Sequence, residues 1–306
     1  MSNNSITNGS LSRTSSLKKQ KRKTNASSVI EMRQKRLDFE GAECFSGRGF
    51  NVDDDEVNRR AGHVAVNHGG RILVWGGYET GLPTEQAPYG RHRYWRTDWI
   101  MVLDPISGIW KPQKTDPENC PPLTSGATGA VIDDVMYIFC GHTIYFEHYE
   151  IPQVDTNTKE GSHPLLIEII QDMHRDLIEE NSNELYACDL TARPYPTWKR
   201  LNLTCRGLPP LSCDKLANFV FDEKIYLFGG YGPSPPSDIR LNLPRSTTWI
   251  VDPQQRRGWN NQLVIYDPSK NEYTWPKTKG KEPSPRAAHA MAIDSDKKIA
   301  YIFGGM

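Results

Sequence analysis

A short apolar run that ends in a glycine pair recurs four times along the chain, and this repeat constrains the fold more than any other feature. The copies read RILVWGG at 71–77, VMYIFCG at 135–141, KIYLFGG at 224–230 and KIAYIFGG at 298–305. In the second copy Cys140 replaces the first glycine. Each run has the length of one strand and is rich in β-branched and aromatic residues, so the sequence predicts four equivalent strands.

A lone tryptophan after an aspartate-bearing turn marks the other half of the repeat, at Trp110, Trp198 and Trp275. From each tryptophan to the second glycine of the next copy the distances are 31, 32 and 30 residues. From each glycine pair to the following tryptophan they are 33, 57 and 45 residues. One half of the unit is fixed in length and the other accepts insertions, as in a four-stranded propeller blade with variable loops on one face.

The glycine pair, the hairpin and the spaced tryptophan resemble the kelch repeat. The resemblance implies blades with strands a to d, counted outward from a central channel, in which the glycine pair ends strand b. We therefore predict an all-β kelch β-propeller with blades at 58–115, 123–203 and 213–279 and a partial blade at 285–306. The residues expected to serve this architecture are Gly76, Gly77, Trp110, Gly141, Trp198, Gly229, Gly230, Trp275, Gly304 and Gly305.

About three and a half blades do not close a ring, because propellers close with roughly four to eight blades. We expect the sequence to be a fragment or truncated product of a longer protein, or to complete its ring with a second chain. The last strand would otherwise expose an unpaired edge.

Residues 1–57 differ in character from the predicted propeller at 58–306. Residues 1–36 carry nine basic side chains and one acid, although the whole chain has 37 of each. This segment is rich in Ser, Asn and Thr and nearly free of aromatic residues, so we predict a disordered basic arm and linker. Its basic cluster is a candidate nuclear localisation signal, with a solvated basic tail as the alternative. The cluster consists of Lys18, Lys19, Lys21, Arg22 and Lys23.

Several classes of function are disfavoured by the sequence. It contains no Cys-x-x-Cys pair, no P-loop and no residue pair suited to proton or metal chemistry, so we expect a non-enzyme without cofactor or metal. No apolar run reaches the roughly 18 residues of a membrane helix, so we expect no membrane partner. The acidic body argues against nucleic acid as a specific partner. The expected location is the nucleus, the cytoplasm or both.

Three insertions follow strand b of successive blades and are expected on one face of the propeller. The first, at 79–97, mixes aromatic and arginine side chains, which suit recognition of a peptide or carboxylate; packing on its own blade is the alternative. In the second, apolar residues at helical spacing predict a helix near 164–181, laid on the propeller face. The third, at 231–258, is rich in Pro and Ser.

A closer resemblance is carried by RAGHVAV at 60–66, DKL at 214–216, FGGYG at 228–232 and RGWN at 257–260. These motifs are similar to those of the kelch domain-containing protein 2 type of substrate receptor of Cullin-2 RING ubiquitin ligases. The resemblance implies a non-catalytic adaptor whose six-bladed propeller binds the extreme C-terminus of a client protein, a C-degron. It also implies a docking box that recruits Cullin-2 with elongin B and elongin C.

Four positions of this sequence match peptide-pocket positions of that family, and ordinary loop packing is the alternative for each. They are Tyr78, Lys215, Tyr231 and Trp259. The family's carboxylate-binding arginines follow the fourth glycine pair, where this sequence has only Met306. Blades five and six and the docking box also lack a counterpart. We therefore expect this chain alone to bind degrons weakly and not to recruit a Cullin complex. The alternative hypothesis is a kelch interaction scaffold without a role in ubiquitin ligation.

Overall fold

The structure is a computed structural model, and it describes residues 60–80, 92–146, 166–169, 177–252 and 254–306. The predicted basic arm and its candidate localisation signal lie outside the described residues. Within the described ranges no helix is long and apolar enough to cross a membrane.

Three antiparallel sheets follow one another along the chain, and each has the four strands of a blade. The first contains β1 (Val64–His68), β2 (Arg71–Trp75), β5 (Trp99–Asp104) and β6 (Ile109–Lys114). The second contains β8 (Thr128–Ile132), β9 (Val135–Phe146), β11 (Leu177–Asp189) and β12 (Thr197–Arg200). The third contains β13 (Ala217–Phe221), β14 (Lys224–Phe228), β18 (Leu263–Asp267) and β19 (Glu272–Thr274).

A fourth, two-stranded sheet contains β20 (Ala290–Asp294) and β21 (Ile299–Phe303). The first strands of the four sheets, β1, β8, β13 and β20, contact one another in that order. The described sheets do not close into a ring. The prediction of an all-β propeller with about three and a half blades is therefore confirmed.

The insertions of the first and third blades form smaller three-stranded sheets. One joins β3 (Tyr78–Thr80) and β4 (His92–Trp95) to β10 (Leu166–Ile169) from the second insertion. The other contains β15 (Tyr231–Pro233), β17 (Arg257–Asn260) and β16 (Trp249–Asp252). A short helix of six residues, α1 (Ser237–Asn242), follows β15, and β7 (Leu123–Ser125) pairs with the end of β9.

The predicted helix near 164–181 is wrong in the described part of that segment, which consists of β10 and the start of β11. Its run LIEI alternates two isoleucines with other side chains, so it fits the two-residue period of a strand as well as a helical stripe. Pairing with a neighbouring strand favours the strand over the helix. Leu166 pairs with Trp95 of β4, so the backbone groups of β10 form their hydrogen bonds with β4.

Apolar clusters fill the two spaces between complete blades. Between the first and second blades Trp198 of β12 packs against Trp75 of β2, with ring centroids 5.7 Å apart. The Trp198 indole N–H donates to the Thr115 hydroxyl at 2.9 Å, which also joins the two blades. Trp275 packs against the cluster between the second and third blades, whereas Trp110 packs on the first blade itself.

The glycine pairs lie where one blade meets the next. The backbone N–H of Gly77 donates to the carbonyl of Thr124 at 2.8 Å, and the N–H of Gly230 donates to the carbonyl of Arg286 at 2.9 Å. In the second blade Gly141 makes the equivalent bond to Cys213. Cys140, at the first position of that pair, keeps the left-handed conformation with φ 59°.

Gly229 and Gly304 offer a matched test of this contact, because they share a repeat position and a left-handed φ of 70° and 71°. A Cβ on Gly229 would lie 2.5 Å from the carbonyl oxygen of Arg286, whereas a Cβ on Gly304 would meet nothing within 4 Å. For the chain of residues 1–306 we expect Gly304→Ala to lower the free energy of unfolding by about 1 kcal/mol through backbone strain alone. Gly229→Ala should lower it by about 1–3 kcal/mol more. Urea unfolding followed by tryptophan fluorescence measures both, and equal losses would contradict the inter-blade contact.

Candidate functional site

A cavity of about 770 Å³ opens at the central end of the four blades. Most of its wall is built from two sets of equivalent residues, and Tyr94, Ile144, Gln255 and Arg257 complete it. One set directly precedes the first strand of each blade, and the other directly follows the glycine pairs. The first set contributes Ala61, Gly62, His63, Ser125, Gly126, Ala127, Asp214, Lys215, Leu216, Ala288 and His289, and the second Tyr78, His142 and Tyr231.

A line of backbone hydrogen bonds joins the blades along this wall. The N–H of Gly126 donates to the carbonyl of Gly62 at 2.7 Å, and the N–H of Lys215 donates to the carbonyl of Gly126 at 2.7 Å. The N–H of Ala288 donates to the carbonyl of Lys215 at 2.8 Å. All four residues are left-handed, with φ between 54° and 66°, although two of them have a side chain. The bonds between blades hold Lys215 in a conformation that few non-glycine residues adopt.

The two tyrosines are fixed by their own blades. The backbones of Tyr78 and Ala61 exchange two hydrogen bonds of 2.9 Å, and those of Tyr231 and Asp214 do the same. Next to them stand further aromatic rings from the insertions, because β3 pairs with β4 and β15 pairs with β17. The Tyr231 ring lies 5.2 Å from the ring of Trp259. The result is a pair of rigid aromatic walls from different blades.

Positive charge is concentrated around Tyr231. The Lys215 ammonium lies 5.6 Å from the centre of the Tyr231 ring, and the Arg257 guanidinium lies 5.4 Å from it. The Tyr231 hydroxyl donates to the side-chain oxygen of Gln255 at 3.0 Å. Arg257 also donates to the side-chain oxygen of Asn181, a buried residue of the second blade. Two cations, of which Arg257 is held by a residue of the second blade, therefore lie within 6 Å of the centre of one aromatic ring.

His289 is the buried histidine of the cavity wall, with 9% of its surface exposed. Neither ring nitrogen has a hydrogen-bond partner within the described part of the chain. Burial, and then the nearby Arg286 guanidinium, lower its pKa from 6.5 to about 4. The ring packs edge-on against Phe228 of the preceding blade at 5.5 Å. At neutral pH this histidine is therefore an uncharged packing residue.

The described side chains are poorly arranged for metal binding or thiol chemistry. In the ranges that the structure covers, no group of three or more His, Cys, Asp or Glu is placed to hold a metal ion. The five cysteines of these ranges are free. A hydrogen bond with Cys213, together with burial, raises the pKa of Cys140, and burial raises the pKa of Cys120 to about 11. The thiols of Cys120 and Cys140 are therefore protonated at neutral pH and thus weak nucleophiles.

The structure brings three of the four candidate peptide-binding residues to the same cavity. Tyr78, Lys215 and Tyr231 line it, whereas Trp259 stands behind Tyr231 and contacts its ring. Sequence reasoning missed Arg257, which lies two residues before Trp259 on β17 and so shares a face of that strand. The RGWN motif could have indicated this, because residues two apart in a strand lie on the same face.

Sequence reasoning also missed Gln255 and the placement of Asp214. For Gln255 we find no signal in the sequence, because a loop glutamine carries no pattern of its own. Asp214 was visible beside Lys215, but its burial in the cavity wall depends on the neighbouring blade.

Comparisons with known proteins agree with this architecture. A protein-family model described as the KLHDC2/KLHL20/DRC7 Kelch-repeats domain matches residues 175–306. Kelch domain-containing protein 2 of Rattus norvegicus is 31% identical over 256 residues, which are 80% of this chain and 50% of the relative. Kelch domain-containing protein 1 of Mus musculus is 28% identical over 251 residues, 81% of this chain and 50% of the relative. The chain thus spans about half the length of the curated relatives that it matches.

One solved structure, titled "Structure of YjhT", aligns with a TM-score of 0.40 and 14% sequence identity. The alignment covers 76% of this chain and 55% of the other.

The lowered pKa of His289 predicts a loss of stability in mild acid. An unfolded histidine takes up its proton near pH 6.5, whereas the folded one takes it up near pH 4, so stability is lost as pH falls between these values. The wild type should lose about 2 kcal/mol from pH 7 to pH 5 that His289→Gln does not lose.

Urea unfolding of both proteins at the two pH values measures this difference. His63→Gln is the matched control, because His63 is the equivalent residue of the first blade but is exposed. Partial burial, and then the nearby Arg60, also lower the pKa of His63, but less far, so His63→Gln should reduce the pH dependence by less. Identical pH dependence in the wild type and His289→Gln would contradict the assignment.

Proposed function

The chain is a kelch-repeat protein similar to kelch domain-containing protein 2, and we propose that it binds the free C-terminus of a client protein in the cavity between its blades. The observation that carries this proposal is the meeting of Tyr78, Lys215 and Tyr231 at one cavity. These residues are far apart in sequence and come from the first and third blades.

The cavity offers what a C-terminal carboxylate needs. A carboxylate is bound best by cationic donors in a concave and partly dry site. The Lys215 side chain is 47% exposed and so is accessible from the cavity, and the Arg257 guanidinium lies 5.4 Å from the centre of the same Tyr231 ring. A terminal glycine has no side chain, so its flat backbone fits between aromatic walls such as those of Tyr78 and Tyr231.

The wider role that we propose is that of a substrate-recognition adaptor of a Cullin-2 RING ubiquitin ligase. Its support is the motif resemblance given above and the similarity to kelch domain-containing protein 2 over 80% of this chain. An adaptor performs no chemistry and instead positions a client lysine near the ligase. Cullin-2, elongin B and elongin C are the partners proposed for the whole protein.

Binding of a fluorescent peptide that ends in Gly-Gly tests the recognition step. Amidation of the peptide removes the charge-assisted hydrogen bonds of its carboxylate, so we expect the dissociation constant to rise about tenfold or more. Lys215→Gln should weaken binding of the free acid by a similar factor and reduce the difference between acid and amide. Lys215→Arg should restore part of both effects, because it restores the charge.

The matched control for this experiment is Lys277→Gln, which changes an exposed lysine outside the cavity. It should bind the acid like the wild type. Equal affinity of the wild type for acid and amide would overturn the proposed function.

The adaptor role requires a separate measurement on the protein in its own cells. We expect Cullin-2, elongin B and elongin C to co-purify with the endogenous protein. Their absence from a preparation that still binds carboxylate-ended peptides would contradict the adaptor role and favour an interaction scaffold without ubiquitin activity.

A further inference from the structure

Asp214 is a buried carboxylate in the wall of the cavity. Its side chain is only 8% exposed, and it lines the cavity beside Lys215. One carboxylate oxygen, Oδ2, lies 3.0 Å from the Lys215 ammonium. The other, Oδ1, is buried and has no hydrogen-bond partner among the described residues. A buried carboxylate oxygen is unfavourable unless a donor satisfies it, so Oδ1 requires a partner that the described protein does not supply.

The other blades show whether the fold itself requires this ion pair. At the position of Asp214 the other blades have Ala61, Ser125 and Ala287. At the position of Lys215 they have Gly62, Gly126 and Ala288, which form the same line of backbone hydrogen bonds. The architecture is thus built three times without a charge at either position. The Asp214–Lys215 pair is thus an addition to the repeat in the third blade.

The neighbouring blade packs closely against Asp214. A Cβ on Gly126 would lie 2.9 Å from the Cβ of Asp214 and 3.3 Å from its Oδ2. Any side chain at 126 would therefore displace Asp214. The backbone of Asp214 is held as well, because it exchanges two hydrogen bonds with Tyr231. The carboxylate is consequently fixed in place before any ligand arrives.

We propose that Oδ1 of Asp214 accepts a hydrogen bond from the last main-chain N–H of the bound C-terminus. This inference rests on the proposed function and assigns a second element of recognition to the same site. The terminal residue of a protein carries an N–H donor and a carboxylate on one Cα. The cavity places an acceptor carboxylate directly beside a lysine and near Arg257, so acceptor and cations match that pair of groups. A terminal proline, which has no N–H, would leave Oδ1 unsatisfied and be rejected.

A peptide in which glycolic acid replaces the terminal glycine tests the hydrogen bond directly. The replacement changes the last amide to an ester, which removes the N–H without adding bulk. For the whole chain of residues 1–306 we expect the ester peptide to bind about tenfold more weakly than the Gly-Gly peptide, because hydrogen bonds to charged groups are among the stronger ones.

Two variants of Asp214 complete a thermodynamic cycle with these peptides. In Asp214→Ala the acceptor is gone, so the Gly-Gly peptide and the ester peptide should bind with equal affinity. Asp214→Asn keeps an uncharged acceptor and the shape of the side chain, so it should retain part of the discrimination even if the alanine variant folds poorly. The matched control is Asp296→Ala, which removes an exposed acid from the turn between β20 and β21 and should discriminate like the wild type.

The outcomes separate this inference from the function on which it rests. If the wild type prefers the free acid over the C-terminal amide but binds Gly-Gly and ester peptides equally, the role of Asp214 is overturned and carboxylate recognition stands. An ester penalty of the same size in the wild type, Asp214→Ala and Asp214→Asn would also overturn it. If the wild type does not distinguish acid from amide, both the proposed function and this inference fail.

Discussion

The line of backbone hydrogen bonds from Gly62 through Gly126 and Lys215 to Ala288 is the constraint on which the cavity depends. Each bond joins a residue just ahead of one blade to the same position of the next, so it fixes the spacing of the blades at their central end. It also requires a left-handed backbone at every step, which glycine provides in the first two blades. In the third blade the same geometry holds a lysine in the cavity wall.

Departures from a repeat are informative because the other copies show what the fold itself requires. The glycine pairs recur from blade to blade, and Trp198 joins two blades. The contacts that these residues make between blades account for their presence. A carboxylate and an ammonium at Asp214 and Lys215 have no such counterpart. Partial burial of an ion pair is rarely a gain in stability, since desolvation offsets attraction. A pair that architecture does not need, facing a cavity, is better explained by what the cavity binds.

The fold was predictable from the sequence because its signals are local and recur: an apolar run, a glycine pair and a fixed distance. Tyr78, Lys215 and Tyr231 were named from the family resemblance, and their fixed places in the repeat explain why they meet at one cavity. The insertion near 164–181 was not, because β10 is a strand through its pairing with β4 of another blade. Pairing between distant segments overrides the local periodicity of the sequence, and the sequence of one segment does not show that pairing.

The same argument explains why part of the site escaped sequence reasoning. Arg257 belongs to the third blade, yet its guanidinium is held by Asn181 of the second, and β10 of the second insertion extends the sheet of the first. Contacts between blades and their insertions therefore help to position the residues of the cavity wall. It follows that affinity for a ligand depends on the angle between blades as well as on the side chains that touch the ligand. Loosening the glycine-pair contacts should then weaken binding without altering a lining residue, since the aromatic walls of Tyr78 and Tyr231, which come from different blades, would separate.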